Sequence, residues 1–245
     1  MKSLIKKSIT LIYKSTFGLK KNLGIRALAY HSIVNKDTRD LWSLNLDIFK
    51  DHITFFKKNK IISSDSLINQ KLDQGILITF DDGYKNNLEY VEPLLTNYKI
   101  PFTIFVVTDY IKNKNNNYLN ENELKKIAKN SLVTIASHSK THPRLTNCND
   151  KDLKKEIFDS KKYLEDLLGE KTDLFSYPHG MFDQRVIIQV KKARYKLAFT
   201  SHYDVIKPKD DRFTLNRNEI WNTDNLSNLK SKINGDWDWL KYRNL

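Results

Sequence analysis

The chain has almost no cysteine: Cys148 stands alone among 245 residues, so no disulfide can form within it. Cysteine usage therefore neither signals nor excludes an oxidising compartment. Glycine and proline are sparse as well, seven and five in number and scattered singly. With no Pro- or Ser-rich linker, heptad array or internal repeat, nothing divides the chain into separate domains. No apolar run approaches the roughly 18 residues of a membrane span. Acid is scarce relative to base, 29 Asp and Glu against 42 Lys and Arg, for a net charge of +13. Such a charge attracts anionic partners. The lysines are spread along the whole sequence rather than gathered in a tract, however, which suits a solvated surface, and no nucleic-acid partner is expected.

What is present is enough apolar material, 40% of residues with 11% aromatic, for one well-packed core. Short β-rich runs alternate with longer stretches of helical period. Arg26–Tyr30 reads as a strand, and Phe49, His52, Ile53 and Phe56 follow at helical spacing after Asp47. Ile76–Phe80, Phe102–Val107 and Leu132–Ala136 read as further strands, with helices over Leu88–Leu95 and Glu121–Lys129 between them. The clearest helix carries Leu153, Ile157, Leu164, Leu167 and Leu168 on one face and stops at Gly169. Phe175–Tyr177, Ala198–Thr200 and Phe213–Leu215 are shorter late strands, and Gln184–Lys192, Asp224–Ile233 and Trp237–Tyr242 are helical. This alternation specifies an α/β fold with a parallel sheet, either a barrel or a doubly wound sheet.

The reactive groups collect just after the β-runs. Asp81 and Asp82 follow Ile76–Phe80, His138 follows Leu132–Ala136, Pro178–Gly180 follow Phe175–Tyr177, and His31 follows Arg26–Tyr30. In parallel α/β folds the C-terminal strand ends share one face, and that face holds the active site. Each motif alone is weak: Asp81-Asp82-Gly83 is an ordinary turn signal, and two histidines at i and i+4 often belong to a loop. Together, two imidazoles and a carboxylate make the donor set of a catalytic zinc-like ion that keeps one position open, and the second carboxylate supplies a base.

Thr79-Phe80-Asp81-Asp82-Gly83 and His138-Ser139-x-x-His142 resemble the first two motifs of the polysaccharide deacetylases, carbohydrate esterase family 4. Pro93 through Thr103 and Glu156 to Gly169 are also similar to family segments. The resemblance implies a NodB homology domain over residues 23–245, a distorted (β/α) barrel, one divalent metal, usually zinc, and an N-acetylated glycan as substrate. By it Asp82, His138 and His142 would hold the metal and Asp81 would be the general base. The third family motif is Arg-x-Pro-aromatic-Gly, whereas Ser176-Tyr177-Pro178-His179-Gly180 stands here. The missing arginine normally orients the catalytic aspartate, and Arg217 in Leu215-Asn216-Arg217 is the candidate replacement. A backbone N–H forms the oxyanion hole in the family, so His179 can supply it between Pro178 and Gly180.

The C-terminal Leu-x-His motif of the family, source of the general acid, has no counterpart after Ser201. Leu28-Ala29-Tyr30-His31-Ser32-Ile33 instead resembles the permuted arrangement of the biofilm poly-N-acetylglucosamine deacetylases, which makes His31 the expected acid, titrating in the physiological range, with His202 as fallback. Trp221, Trp237 and Trp239 read as packing residues rather than sugar platforms. Two other functions compete: a glycan- or nucleic-acid-binding module on the same barrel, and glycoside hydrolysis. The second needs two carboxylates about 5 to 9.5 Å apart on opposite sides of a bond, which adjacent Asp81 and Asp82 do not suit.

Residues 1–22 carry Lys2, Lys6, Lys7 and Lys14 among Leu4, Ile5, Ile9, Leu11 and Ile12. The lysines interrupt the apolar run and no small-residue cleavage site follows, so the stretch reads as a short basic amphipathic helix rather than a signal peptide. Such a helix either caps the barrel or lies on an anionic membrane surface, which places the protein in the cytoplasm, peripheral to the membrane in the second case. If it meets the membrane, full-length protein should co-sediment with anionic vesicles at low salt and release at high salt, and removal of residues 1–20 should abolish this. Equal sedimentation of both proteins would assign the helix to the fold.

Overall fold

The structure is a computed structural model describing residue 10 and residues 24–69, 74–113 and 115–242. The amphipathic stretch expected over residues 1–22 thus lies outside the described residues, except for Thr10. That residue is buried and its hydroxyl accepts a hydrogen bond from the Trp239 indole at 3.0 Å.

Eight strands form one parallel sheet, running in the order β10 (Asn218–Glu219), β1 (Ile25–Tyr30), β5 (Gly75–Phe80), β6 (Phe102–Val106), β7 (Val133–Ser137), β8 (Leu174–Ser176) and β9 (Leu197–Phe199). The eighth, β4 (Ile61–Ile62), pairs with the first half of β5, whose second half pairs with β6, while β1 runs along the full length of β5. A separate parallel pair, β2 (Ser32–Val34) and β3 (Ser43–Asn45), sits just beyond the end of β1.

Strand alternation sorts the side chains into two layers. Ala27, Leu77, Phe105, Ala136, Leu174, Leu197 and Phe199 meet in an interior cluster. Leu28, Ile76, Ile78, Phe80, Phe102 and Ile104 face outward onto helices such as Leu46–Phe56 and Glu121–Ala128. The long helix Asp150–Leu168 joins Gln184–Lys192 over β8 and β9 through Leu153, Ile157, Val186 and Val190. It starts on the Asn149 cap, whose side chain accepts from Asp152 N–H, and ends at Gly169 with φ 73°, the stop expected from the sequence.

The half-barrel closes through an irregular segment rather than a strand. Phe213–Leu215, expected as a strand, is a turn in which only Leu215 bridges Phe199. Asp211 accepts from the Phe213 N–H at 2.9 Å and bends the chain there. Leu215 N–H then donates to Ala198 O, Thr200 N–H to Leu215 O, and Arg217 N–H to His202 O, before Asn218–Glu219 join β1. The segment crosses from the β9 edge to the β1 edge, so it cannot run beside either for its whole length. Buried ion pairs fasten the chain after β10: Asp224 to Lys232, and Arg26 to Asp238 at 2.7 Å.

Candidate active site

Leu77 and Thr79 of β5 face the barrel interior, and the same period carries Asp81 inward just beyond the strand. Turning the chain immediately afterwards requires unusual backbone. Asp82 has φ 71° and Gly83 φ 76°, and a Cβ on Gly83 would lie 2.9 Å from Val106 Cγ1. Of the six non-glycine residues with positive φ among the described residues, four surround this point: Asp82, Ser139, His142 and His179. Strain of this kind, of order 1–3 kcal/mol per residue, persists only where the surroundings enforce it.

Next to these residues, Arg217 fixes Asp81. Its guanidinium binds Asp81 in two parallel bonds, Nη1 to Oδ1 and Nη2 to Oδ2, each 2.7 Å. The remaining donors are also used: Nε to Thr200 O at 3.0 Å, Nη1 to Thr79 Oγ1 at 3.1 Å and Nη2 to Ser176 Oγ at 2.7 Å. The group is 1% exposed and lies over the Phe105 and Phe199 rings, 5.2 and 5.9 Å from their centroids. Arg217 therefore reaches the aspartate from the closing segment, while Ser176, at the position where the family motif has arginine, leaves room for it. Burial alone would raise the Asp81 carboxyl, but Arg217 and then His138 outweigh it and hold the group well below the usual carboxylate range.

Beside this pair, Asp82, His138 and His142 offer one ligand atom each, all within 4.8 Å of one another. The two Nε2 atoms are 3.1 Å apart, and Asp82 Oδ1 stands 3.7 Å from His138 Nε2 and 3.6 Å from His142 Nε2. A tetrahedral ion with bonds of about 2.0–2.1 Å has ligand atoms about 3.3–3.4 Å apart, so the spacing fits one divalent cation. The outer contacts fit too. His138 Nδ1 donates to Ser176 O at 2.8 Å, which leaves Nε2 unprotonated and facing the cluster. Burial pushes Asp82 up to about 7, helped by the Asp81 charge, and it also pushes His138 and His142 down. A buried set that disfavours its own negative charge and keeps its imidazoles neutral suits a cation at its centre.

The loop from His138 to His142 is held by Glu156, which accepts from Lys140 N–H at 3.0 Å, Thr141 N–H at 2.8 Å and Thr141 Oγ1 at 2.6 Å. Ser139 Oγ accepts from His142 N–H at 3.1 Å. On the far side of the pocket, Pro178–Gly180 form one turn of 3₁₀ helix in which His179 takes φ 59°. Its ring lies 4.6 Å from that of His142. Gly180, with φ 68°, passes so close to Ser201 that a Cβ would come within 2.8 Å of its backbone nitrogen, so only glycine fits.

His31 stands at the end of β1, its ring 4.6 Å from Trp42, which the β2–β3 pair carries into place. Trp42 was not among the residues singled out from sequence. The expectation that His31 titrates in the physiological range is corrected: burial lowers it to about 4, with only partial opposition from Asp81. His202 offers its backbone O to Arg217 and packs its ring against Phe182, 5.5 Å away. Trp221 and Trp237 pack with Tyr203 around Lys232. Thr79, Ser176 and Glu156 stood inside the motifs and segments singled out from sequence but were given no role there. Their signal is a polar residue at an inward position of an apolar strand or on the buried stripe of a helix.

A family profile, curated relatives and solved structures all match this chain. The family profile described as polysaccharide deacetylase matches residues 69–198, a span that includes Asp81, Asp82, His138, His142 and His179 but neither His31 nor Arg217. YxkH of Bacillus subtilis is 29% identical over 145 residues, covering 59% of this chain and 51% of that protein. A poly-beta-1,6-N-acetyl-D-glucosamine N-deacetylase of Staphylococcus aureus is 24% identical over 155 residues, covering 59% and 53%. The chain thus spans about half the length of these curated relatives. Among solved structures, the Streptococcus pyogenes deacetylase PplD in complex with acetate superposes with a TM-score of 0.79 at 22% identity, covering 86% of this chain and 98% of that one. That likeness extends the barrel to strands outside the profile match, and with more than half of the chain inside the profile, the chain belongs to the polysaccharide deacetylase family.

Proposed function

We propose that this chain hydrolyses the acetamide of an N-acetylated sugar in a polysaccharide or its lipid-linked precursor, using one divalent ion, with zinc the best fit to two imidazoles and a carboxylate. The observation that carries the reading is the adjacency of the Asp82, His138 and His142 cluster to an Asp81 carboxylate clamped by Arg217. The name of the Staphylococcus aureus relative supports an amino-sugar polymer as substrate. Contact with an anionic membrane surface through residues 1–22, and action on the cytoplasmic side, remain parts of this proposal that rest on sequence alone. No helix among the described residues is long and apolar enough to cross a membrane.

When bound, the ion supplies Lewis-acid chemistry, polarising the amide carbonyl and lowering the pKa of water from 15.7 towards about 7. Asp81, ionised and fixed in orientation, accepts the proton of the attacking water. A carboxylate held this low is a poor resting place for a proton, so it passes the proton onward readily. His31, neutral at rest and lying in the field of Asp81, is the stronger base and delivers the proton to the departing nitrogen. The backbone N–H at His179 faces the oxyanion, a role worth about 2.7 to 4 kcal/mol per donor. Pro178 and Gly180 set the turn that aims it. Glycoside hydrolysis is disfavoured because it needs a second carboxylate across the scissile bond, whereas Asp82 is adjacent to Asp81 in the chain and faces His138 and His142.

Two outcomes test the reading. Acetate should be released from N-acetylated glycans, stop on chelation and return on addition of metal. His142→Ala should lose both metal and turnover, while Asp81→Asn should keep the metal and lose turnover, a separation read by elemental analysis alongside acetate release. Activity in exhaustively chelated protein, or more than about a tenth of kcat/KM in Asp81→Asn, would overturn it.

The second outcome concerns pH. A group lowered to about 4 is almost entirely uncharged once the pH stands more than about one unit above that value, so His31 enters the reaction neutral across the range of about pH 5.5 to 8. His31→Ala should lower kcat/KM about 10² to 10⁴-fold and leave the shape of the pH profile unchanged. A basic limb near pH 6.5 that disappears in this variant would mean that His31 arrives protonated.

A further inference from the structure

Two consecutive asparagines just past the first motif reach back to the strand end that carries His31, and the proposed chemistry gives them no role. Asn87 donates from Nδ2 to His31 O at 3.1 Å. Asn86 uses both ends of its amide on the next two residues: Nδ2 donates to Ser32 Oγ at 2.8 Å, and Oδ1 accepts from Ile33 N–H at 3.1 Å. An α-helix turns about 100° per residue, so neighbouring side chains seldom serve one target. Here the helix after the motif opens with a π turn, Asn87–Val91, in which Glu92 N–H donates to Asn87 O. The wider turn holds more residues per circuit, so neighbours diverge less, and such turns are frequent at functional sites. Val91 and Leu95, both fully buried, fasten the same stretch to the core.

The joint is held on both sides. On the His31 side, Ser32 N–H donates to Trp42 O at 3.2 Å, and the His31 ring packs on the Trp42 ring 4.6 Å away. On the other, Asp81 N–H donates to Tyr30 O at 2.8 Å, so the first motif meets the end of β1 at Asp81 and again at Asn87. The carboxylate that takes the water proton and the imidazole that delivers it are thereby set on one frame. Asn87 is fully buried, yet its Oδ1 has no hydrogen-bond partner among the described residues. A buried amide with an unpaired acceptor weakens a fold relative to an apolar side chain of similar shape. Packing alone would favour leucine at this position. What asparagine adds is the N–H on His31 O.

We infer that Asn86 and Asn87 are positioning residues for His31, holding its backbone so that the imidazole stands where the proton passes from Asp81 to the departing nitrogen. The inference rests on the deacetylase reading and deepens it by naming what aligns its proton carrier. The test combines Asn87→Leu and Asn86→Ala with His31→Ala, using acetate release from N-acetylglucosamine oligomers. Asn87→Leu should lower kcat about ten- to hundredfold, leave KM within about twofold, keep its metal and melt within about 3 °C of the wild type. Asn86→Ala should lower kcat about three- to tenfold. In the His31→Ala background neither change should cost anything further, because no ring is left to align. A purely structural role would give the same fold-loss in both backgrounds. That additive result, or an unchanged kcat in both single variants, overturns the inference. Nitrogen NMR signals of the labelled histidine rings, assigned to His31 by their absence in His31→Ala, read its placement without turnover. In Asn87→Leu the His31 signals should shift while those of His138 and His142 stay. Shifted His31 signals, with no acetate released from any glycan by the wild-type chain, sink the deacetylase and keep the positioning role. Acetate release, with kcat and the His31 signals unmoved in Asn87→Leu, sinks the positioning role and keeps the deacetylase.

Discussion

The interior of this barrel depends on the bond between Arg217 and Asp81. An isolated charge at such a depth costs several kcal/mol to desolvate, and a buried pair is tolerated only when its geometry is good and its remaining donors are satisfied. Here both carboxylate oxygens are taken and all five guanidinium N–H groups have acceptors, on Asp81, Thr79, Ser176 and Thr200. Those partners come from the ends of β5 and β8 and from the segment after β9. One side chain thus ties three parts of the barrel together and closes the gap that no full strand closes. Removing either partner of such a pair typically costs about 3–5 kcal/mol, because the other charge stays buried.

The same bond divides the work between two adjacent carboxylates. Arg217 keeps Asp81 ionised and immobile, while Asp82, turned away by its positive φ, faces His138 and His142. Without the clamp, two neighbouring carboxylates would compete for the same charge. With it, one is committed to proton transfer and the other to a cation, and the Glu156 contacts keep the histidine loop in register with both.

Much of this was legible in the sequence, because the chemistry sits in short contiguous motifs at strand ends: the first motif around Asp81 and the His138–His142 pair carry their meaning locally. Arg217 was nameable only through the arginine missing before Tyr177, and its approach was not. It lies 136 residues beyond the aspartate it meets, and the turn at Asp211–Phe213 that redirects the chain towards it has no periodic signal. The state of His31 was misjudged for a related reason. Its packing against Trp42 depends on a two-strand pairing of three residues each, too short to give a periodic signal either.

The most direct measurement is the pH profile of acetate release for Arg217→Lys, taken together with its metal content. An ammonium group cannot make the paired bonds of a guanidinium, so the Asp81 carboxyl should move back up towards its ordinary range. A depressed carboxylate is ionised down to low pH, and raising it shifts the loss of ionised Asp81 to higher pH. The variant should keep its metal, lose at least about tenfold in kcat/KM near neutrality, and show an acid limb displaced to higher pH. Unchanged kcat/KM with an unmoved acid limb would contradict the role assigned to the Arg217–Asp81 bond.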